Sequence, residues 1–195
     1  MEIKKVDKIK QIFSDSIKLK GDILNDNSLM NQIHSIVQLL TASLESEKRI
    51  YLAGNGGSAA DAQHLAAEFT GRFYIDRRAF PVEALHCNTS YMTAVANDYS
   101  YDVIYSRLVE GTMNKGDILW LFSTSGNSIN IINAAKSALK KDIKVISFTG
   151  LGGGALKHFS DITIEIPSKI TPRIQECHML IGHIICELTE QNLVK

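Results

Sequence analysis

The chain has 195 residues, 45% of them apolar, and 21 basic side chains balance 21 acidic ones. That balance gives no bulk electrostatic attraction for nucleic acid, and no run of about 18 apolar residues offers a membrane span. Cys87, Cys177 and Cys186 form no disulfide framework and no CxxC pair, and the N-terminus has no signal-peptide apolar core; together these point to the cytoplasm.

Residues 3–45 repeat apolar side chains at helical spacing, as at Ile9, Ile12, Phe13 and Ile17, then Ile33, Ile36, Val37 and Leu40. The stretch Asn25–Ser28 divides them into two helices. A short apolar strand follows at Arg49–Ala53, then a glycine-rich turn, then a helix over Ala59–Arg72. Pro81–His86 reads as a strand, and Ser90–Asn97 and Tyr101–Glu110 as helices. Asp117–Phe122 is a continuous apolar strand, with a helix at Ile129–Lys140. Lys144–Phe148 and Ile162–Ile166 complete five strands, and Thr171–Leu193 is a long last helix. Strands alternate with helices, and three strands lack polar alternation. Both features predict a parallel sheet covered on both faces, a three-layer αβα sandwich. No linker or repeat interrupts the chain, so residues 1–195 read as one domain, with 1–45 a helical extension and 46–195 the core.

In such sheets ligands bind beyond the carboxyl ends of the strands, and two loops there carry chemistry. Ser123-Thr124-Ser125-Gly126-Asn127-Ser128 places four hydroxyls between a buried strand and a helix. Hydroxyls and unpaired N–H groups at a helix N-terminus make an anion site, because the helix dipole favours negative charge. A plain N-cap turn needs one hydroxyl, not four. The loop therefore reads as a phosphate site built from neutral donors. Gly54-Asn55-Gly56-Gly57-Ser58-Ala59 lets backbone approach a ligand closely. It also fits the weak dinucleotide fingerprint, but the next strand ends His-Cys-Asn, without the acid a ribose needs. No Gly-Lys-Ser/Thr follows, so a Walker loop is excluded.

His64 and Glu68 lie four apart on a helix and share one face. Spacing alone points first to a solvated surface pair, and a pair so placed can also bind a divalent metal or transfer protons. On the last helix, Gln175 and His183 are eight apart, about 12 Å of rise. That is near the limit for one metal to be reached by both, and a subunit interface contributing one of them is the easier geometry.

Together these segments resemble the SIS (sugar isomerase) fold, and within it the phosphoheptose isomerase family. The resemblance rests on Ala53 through His64, on Ala67-Glu68, on Asn97-Asp98-Tyr99, on Ser123–Ser128, and on Arg173-Ile-Gln-Glu176 through His183. It spans roughly residues 45 to 190. It implies a flavodoxin-like five-stranded fold and an aldose–ketose isomerisation of sedoheptulose 7-phosphate through an enediol, feeding bacterial surface polysaccharide. It implies a homotetramer with active sites at subunit interfaces. It also implies one zinc per subunit, held by His64, Glu68, Gln175 and His183. Glu68 and His183 become the acid/base pair. Phosphate falls on Ser123, Thr124, Ser125 and Ser128, and sugar contacts on Asn55, Gly56, Gly57, Ser58, Glu68, Asn97, Asp98 and Gln175.

Three departures stand out. Asn88-Thr89-Ser90 replaces the usual Asp-Thr-Ser; Lys169-Ile-Thr-Pro-Arg173 lacks the usual acid; and Thr149–Gly154 lacks a charged residue common there. A second reading on the same fold is a non-catalytic protein that binds the DnaA initiator. Such proteins lack the imidazole of His183, carry Asn for Asp61 and Arg for Ser125. This chain has the enzyme-type residue at all three positions.

Overall fold

The computed structural model describes residues 2–194. Two helices lead, α1 (Glu2–Leu24) and α2 (Asn27–Glu45). Asp26 ends the break between them by accepting a hydrogen bond from the Leu29 N–H, an N-cap for α2. The core then runs β1 (Ile50–Gly54), α3 (Gly57–Thr70), β2 (Val82–Ala84), α4 (Thr89–Asp98), α5 (Ile104–Thr112), β3 (Ile118–Ser123), α6 (Ile129–Leu139), β4 (Lys144–Thr149), β5 (Ile162–Glu165) and α7 (Thr171–Leu193).

All five strands are parallel, in the order β2-β1-β3-β4-β5. Although the strands are almost uniformly apolar, their side chains still alternate between two cores. Ile50, Leu52, Trp120, Phe122, Ile146 and Phe148 pack under α2, α3 and α7. Tyr51, Ala53, Leu119, Leu121 and Val145 pack under α5 and α6. This is the three-layer sandwich the sequence predicts. Helix α2 belongs to one of its covering layers, since Ile33, Ile36, Val37 and Leu40 are buried in the first core.

Element ends differ where local chemistry intervenes. Strand β2 is shorter than its apolar pattern, because it is an edge strand with β1 as its sole neighbour and Pro81 has no N–H to donate. The segment Tyr101–Val103 is a 3₁₀ turn rather than the start of α5, and a further 3₁₀ turn at Leu156–Phe159 carries no apolar period to announce it. Asn88, where an aspartate is usual, accepts from the Tyr91 N–H and caps α4. Cys177 and Cys186 are buried packing residues of α7.

The strand order reverses between β1 and β3, whose paired ends are Gly54 and Phe122. The glycine loop and the Ser/Thr loop therefore leave the sheet side by side, at the crevice where such folds bind ligands.

Beneath that crevice His178 is fully buried, with its Nε2 3.1 Å from the Thr149 carbonyl and its ring near Phe122 and Phe148. Burial lowers its pKa to about 4. An unfolded histidine titrates near 6.5. Above that pH neither state is charged; between 6.5 and 4 only the unfolded chain binds the proton. Stability is thus lost as pH falls through this window, by about 3 kcal/mol in total. In urea unfolding, His178→Gln, which can still donate to Thr149, should lose about that much less than the parent between pH 7 and pH 4. Equal pH dependence in both proteins would refute this account.

Candidate active site

The Ser/Thr loop is shaped by its neighbours. Gly126 has φ +65°, and a Cβ there would overlap the Gly153 carbonyl, so the loop and the Gly150–Gly154 turn interlock only through glycine. Hydrogen bonds from Gly150 N–H to the Thr124 carbonyl and from Leu156 N–H to the Gly126 carbonyl hold the two together. The Ser123 and Ser128 hydroxyls are 3.1 Å apart. Ser125 Oγ accepts from the Asn127 N–H. Ser128 occupies the N-cap position of α6 without spending its hydroxyl on the helix. Against this loop lies a cavity of about 260 Å³, lined by Thr124, Ser125, Ser168, Lys169 and Thr171 among others. Lys169 supplies a cation there, although the Ser/Thr loop itself has none.

The glycine loop is fixed from below. Tyr105 donates its hydroxyl to the Gly54 carbonyl. Asn55 and the buried Asn130 exchange a reciprocal pair of amide hydrogen bonds, each 2.9 Å, and Tyr101 donates to Asn55 Oδ1 at 3.1 Å. The Asn55 side chain is thereby tied to the first turn of α6, just past the Ser/Thr loop. Ser58 is buried, while Gly56 and Gly57 are exposed. Asn97 and Asp98 sit at the exposed end of α4, hydrogen-bonded to each other at 2.9 Å.

Helices α3 and α7 run parallel. Gly57 lies beside the Gln175 amide, Leu65 beside Gly182, and the residues just after α3 beside Glu190. Because Gly182 has no side chain, Leu65 packs directly on the α7 backbone and the helices approach closely. That approach brings together residues 119 apart in sequence: His64 Nε2 lies 2.9 Å from His183 Nε2 and 3.3 Å from Glu68 Oε1. The Phe73 ring lies against that of His183, with centroids 5.8 Å apart. Gln175, two turns before His183, instead rests against Gly57 at the start of α3.

His64, Glu68 and His183 each offer one ligand atom, all within 4.8 Å of one another. In a tetrahedral zinc site with bonds of about 2.0–2.2 Å, ligand atoms stand about 3.3–3.5 Å apart. The observed 2.9 and 3.3 Å agree within a few tenths of an ångström. Two imidazoles and a carboxylate are also the donors this ion takes. The set fits a divalent metal, and it fits a proton-transfer dyad equally well.

Asp61, one of the three enzyme-type residues, lies one turn before His64. It is half-buried, and its Oδ2 has no hydrogen-bond partner among the described residues. Burial raises its pKa to about 6, with His64 partly opposing the shift. Its i, i+3 relation to His64 was the available signal. Nothing local marks Arg77, Glu190 or Phe73, which join the site only through the parallel packing of α3 and α7.

This fold and paired-loop crevice are those of a sugar-phosphate-binding α/β domain, and the profile described as the SIS domain matches residues 13–150; the chain belongs to the SIS-domain family. Within that family it groups with the phosphoheptose isomerases. It is 47% identical over 185 residues to the Phosphoheptose isomerase of Sulfurimonas denitrificans, covering 95% of each chain. It is 46% identical over 183 residues to that of Mycobacterium bovis, covering 94% of this chain and 93% of the relative. A solved phosphoheptose isomerase from Francisella tularensis superposes with a TM-score of 0.92 at 34% identity, over 96% of this chain and 98% of the other. One from Neisseria gonorrhoeae gives 0.89 at 36%, over 95% and 98%.

Proposed function

We propose that the chain is an aldose–ketose isomerase that interconverts sedoheptulose 7-phosphate and D-glycero-D-manno-heptose 7-phosphate, in the cytoplasm, for heptose-containing surface polysaccharide. The observation that carries this reading is the meeting of His64, Glu68 and His183 where α3 and α7 pack, on a family scaffold that also presents the Ser/Thr loop. In the forward direction the Glu68 carboxylate takes a proton from C1 of the ketose. The C1–H electron pair forms C1=C2, and the C2 oxygen takes a proton from the His183 imidazolium. The neutral imidazole then takes the O1 proton as the C1 carbonyl forms, and Glu68 returns its proton to C2. A carboxylate and an imidazole both serve as general acid and base in such transfers. Ser123, Thr124, Ser125 and Ser128 hold the phosphate, and Asn55 to Ser58, Asn97, Asp98 and Gln175 contact the sugar.

With His183 as a neutral imidazole, the trio His64, Glu68 and His183, with Gln175 as fourth donor, would hold one zinc ion per subunit; the imidazolium of the proton transfer has no free ring nitrogen for a metal, so the two are alternative states of His183. Bound there, zinc supplies Lewis-acid polarisation of the carbonyl and stabilises negative charge on oxygen. No helix among the described residues is long and apolar enough to cross a membrane. Exposed Ile9, Phe13 and Ile17 on α1, and Leu180, Ile184 and Leu188 on α7, support self-association, which the proposed homotetramer requires. Ile184 adjoins His183, so a neighbour packed on that stripe would wall the active site.

The test is to incubate purified, untagged protein with sedoheptulose 7-phosphate in D₂O and follow the products by NMR, with added zinc and with chelator. An aldoheptose 7-phosphate carrying deuterium at C2 is the expected product. Chelation should slow its formation at least tenfold, and zinc should restore it. No conversion by folded protein would overturn the isomerase reading, and full activity of metal-free protein would remove the zinc alone.

A further inference from the structure

The chain between α3 and β2 is irregular, yet one ion pair organises it. Glu190, on α7, accepts at Oε1 from the Phe73 N–H (2.9 Å) and Arg77 Nε (2.8 Å), and at Oε2 from the Tyr74 (2.7 Å) and Ile75 (3.0 Å) N–H groups. Both side chains are almost sealed from solvent, at 4% and 2% exposure. Arg77 then spends its remaining N–H groups on backbone carbonyls. Nη2 donates to Glu68 at 3.1 Å, and Nη1 to Phe69, Gly71 and Arg78 at 2.9, 3.2 and 3.0 Å. Its guanidinium also stacks 4.0 Å over the Phe80 ring.

The position of this pair matters more than its strength. Two of the carbonyls it holds, those of Glu68 and Phe69, belong to the last turn of α3, and a third, that of Gly71, lies just past it. The N–H groups that Glu190 holds begin with Phe73, whose ring lies against His183. A single buried pair thus grips the backbone of one proposed catalytic residue and the packing partner of the other. We infer that Arg77 and Glu190 are positioning residues for the isomerisation, fixing Glu68 and His183 relative to each other through the end of α3 and the Phe73 ring. The inference rests on the assignment of Glu68 and His183 as the acid/base pair. Proton transfer demands this kind of support, because a misplacement of about 1 Å costs on the order of a hundredfold in rate.

Arg77→Lys separates the two roles, since lysine can keep the charge opposite Glu190 but lacks the planar fork that binds the α3 carbonyls. The variant and the parent are compared for sedoheptulose 7-phosphate isomerisation, circular dichroism and oligomeric state. The expected result is a kcat about 30- to 100-fold lower, with KM within threefold because the Ser/Thr loop is untouched, in a protein of unchanged fold and assembly. A folded Arg77→Lys protein with near-parental kcat would overturn the inference. So would a kcat that falls only in proportion to the folded fraction. If Arg77→Lys does not accumulate, Glu190→Asp, which keeps the charge but withdraws it by one methylene, is read on the same axes. An inactive parent would refute the isomerase reading instead, so the two failures are distinct.

Discussion

Replacing Glu68 by glutamine should lower kcat about a thousandfold while leaving the fold and oligomer intact. A positioned general base contributes typically 10²–10⁴-fold, and Glu68→Gln keeps the shape while removing the basic oxygen. The side chain is about a quarter exposed, and its close partner is the i, i+4 neighbour His64, so little stability depends on it. Steady-state rates, together with deuterium incorporation at C2, check this. A variant that isomerises at a near-normal rate would show that the C1 proton goes elsewhere. Asp61, half-buried and about two turns before Glu68 on the same helix, would be the first alternative to examine.

Gly126→Ala should produce the largest combined effect on binding and stability. At φ +65°, alanine is strained in any surroundings, and here its methyl would overlap the Gly153 carbonyl. The two interlocked turns must separate, moving the hydroxyls of Ser125 and Ser128. A stability loss of about 3 kcal/mol is expected, a fall in melting temperature on the order of 10 °C. KM for the sugar phosphate should rise at least tenfold, with kcat much less affected. Steady-state kinetics and a thermal melt read both at once. An unchanged KM in a destabilised protein would separate this loop from phosphate binding.

Much of the fold was legible because its signals are local. Continuous apolar runs at Asp117–Phe122 and Lys144–Phe148, glycine and serine at their ends, and helical periodicity between them fix a covered parallel sheet. The edge strand β2 was overestimated because apolar pattern alone does not count neighbours. In the site, His64 and Glu68 were visible as an i, i+4 pair, and both loops were visible by composition. Spacing could not show the third member of the cluster, since His183 reaches the pair only when α7 packs on α3. The Gln175–His183 separation was legible as helix rise, and the structure places Gln175 beside Gly57. The Arg77–Glu190 pair was illegible for a plain reason. An arginine in an irregular segment and a glutamate near a helix end look like solvated charges until the parallel packing of two helices buries them together.

That parallel arrangement has an electrostatic consequence. Helices α3, α6 and α7 each begin just beyond the carboxyl end of a strand, after β1, β3 and β5. Their amino ends therefore gather along one edge of the sheet, and a chain with zero formal charge acquires a positive potential there. Backbone groups locked in place supply this potential, and Lys169 beside the Ser/Thr loop adds a formal charge to it. The same fixed field favours the negative charge that develops on oxygen as the carbonyl migrates.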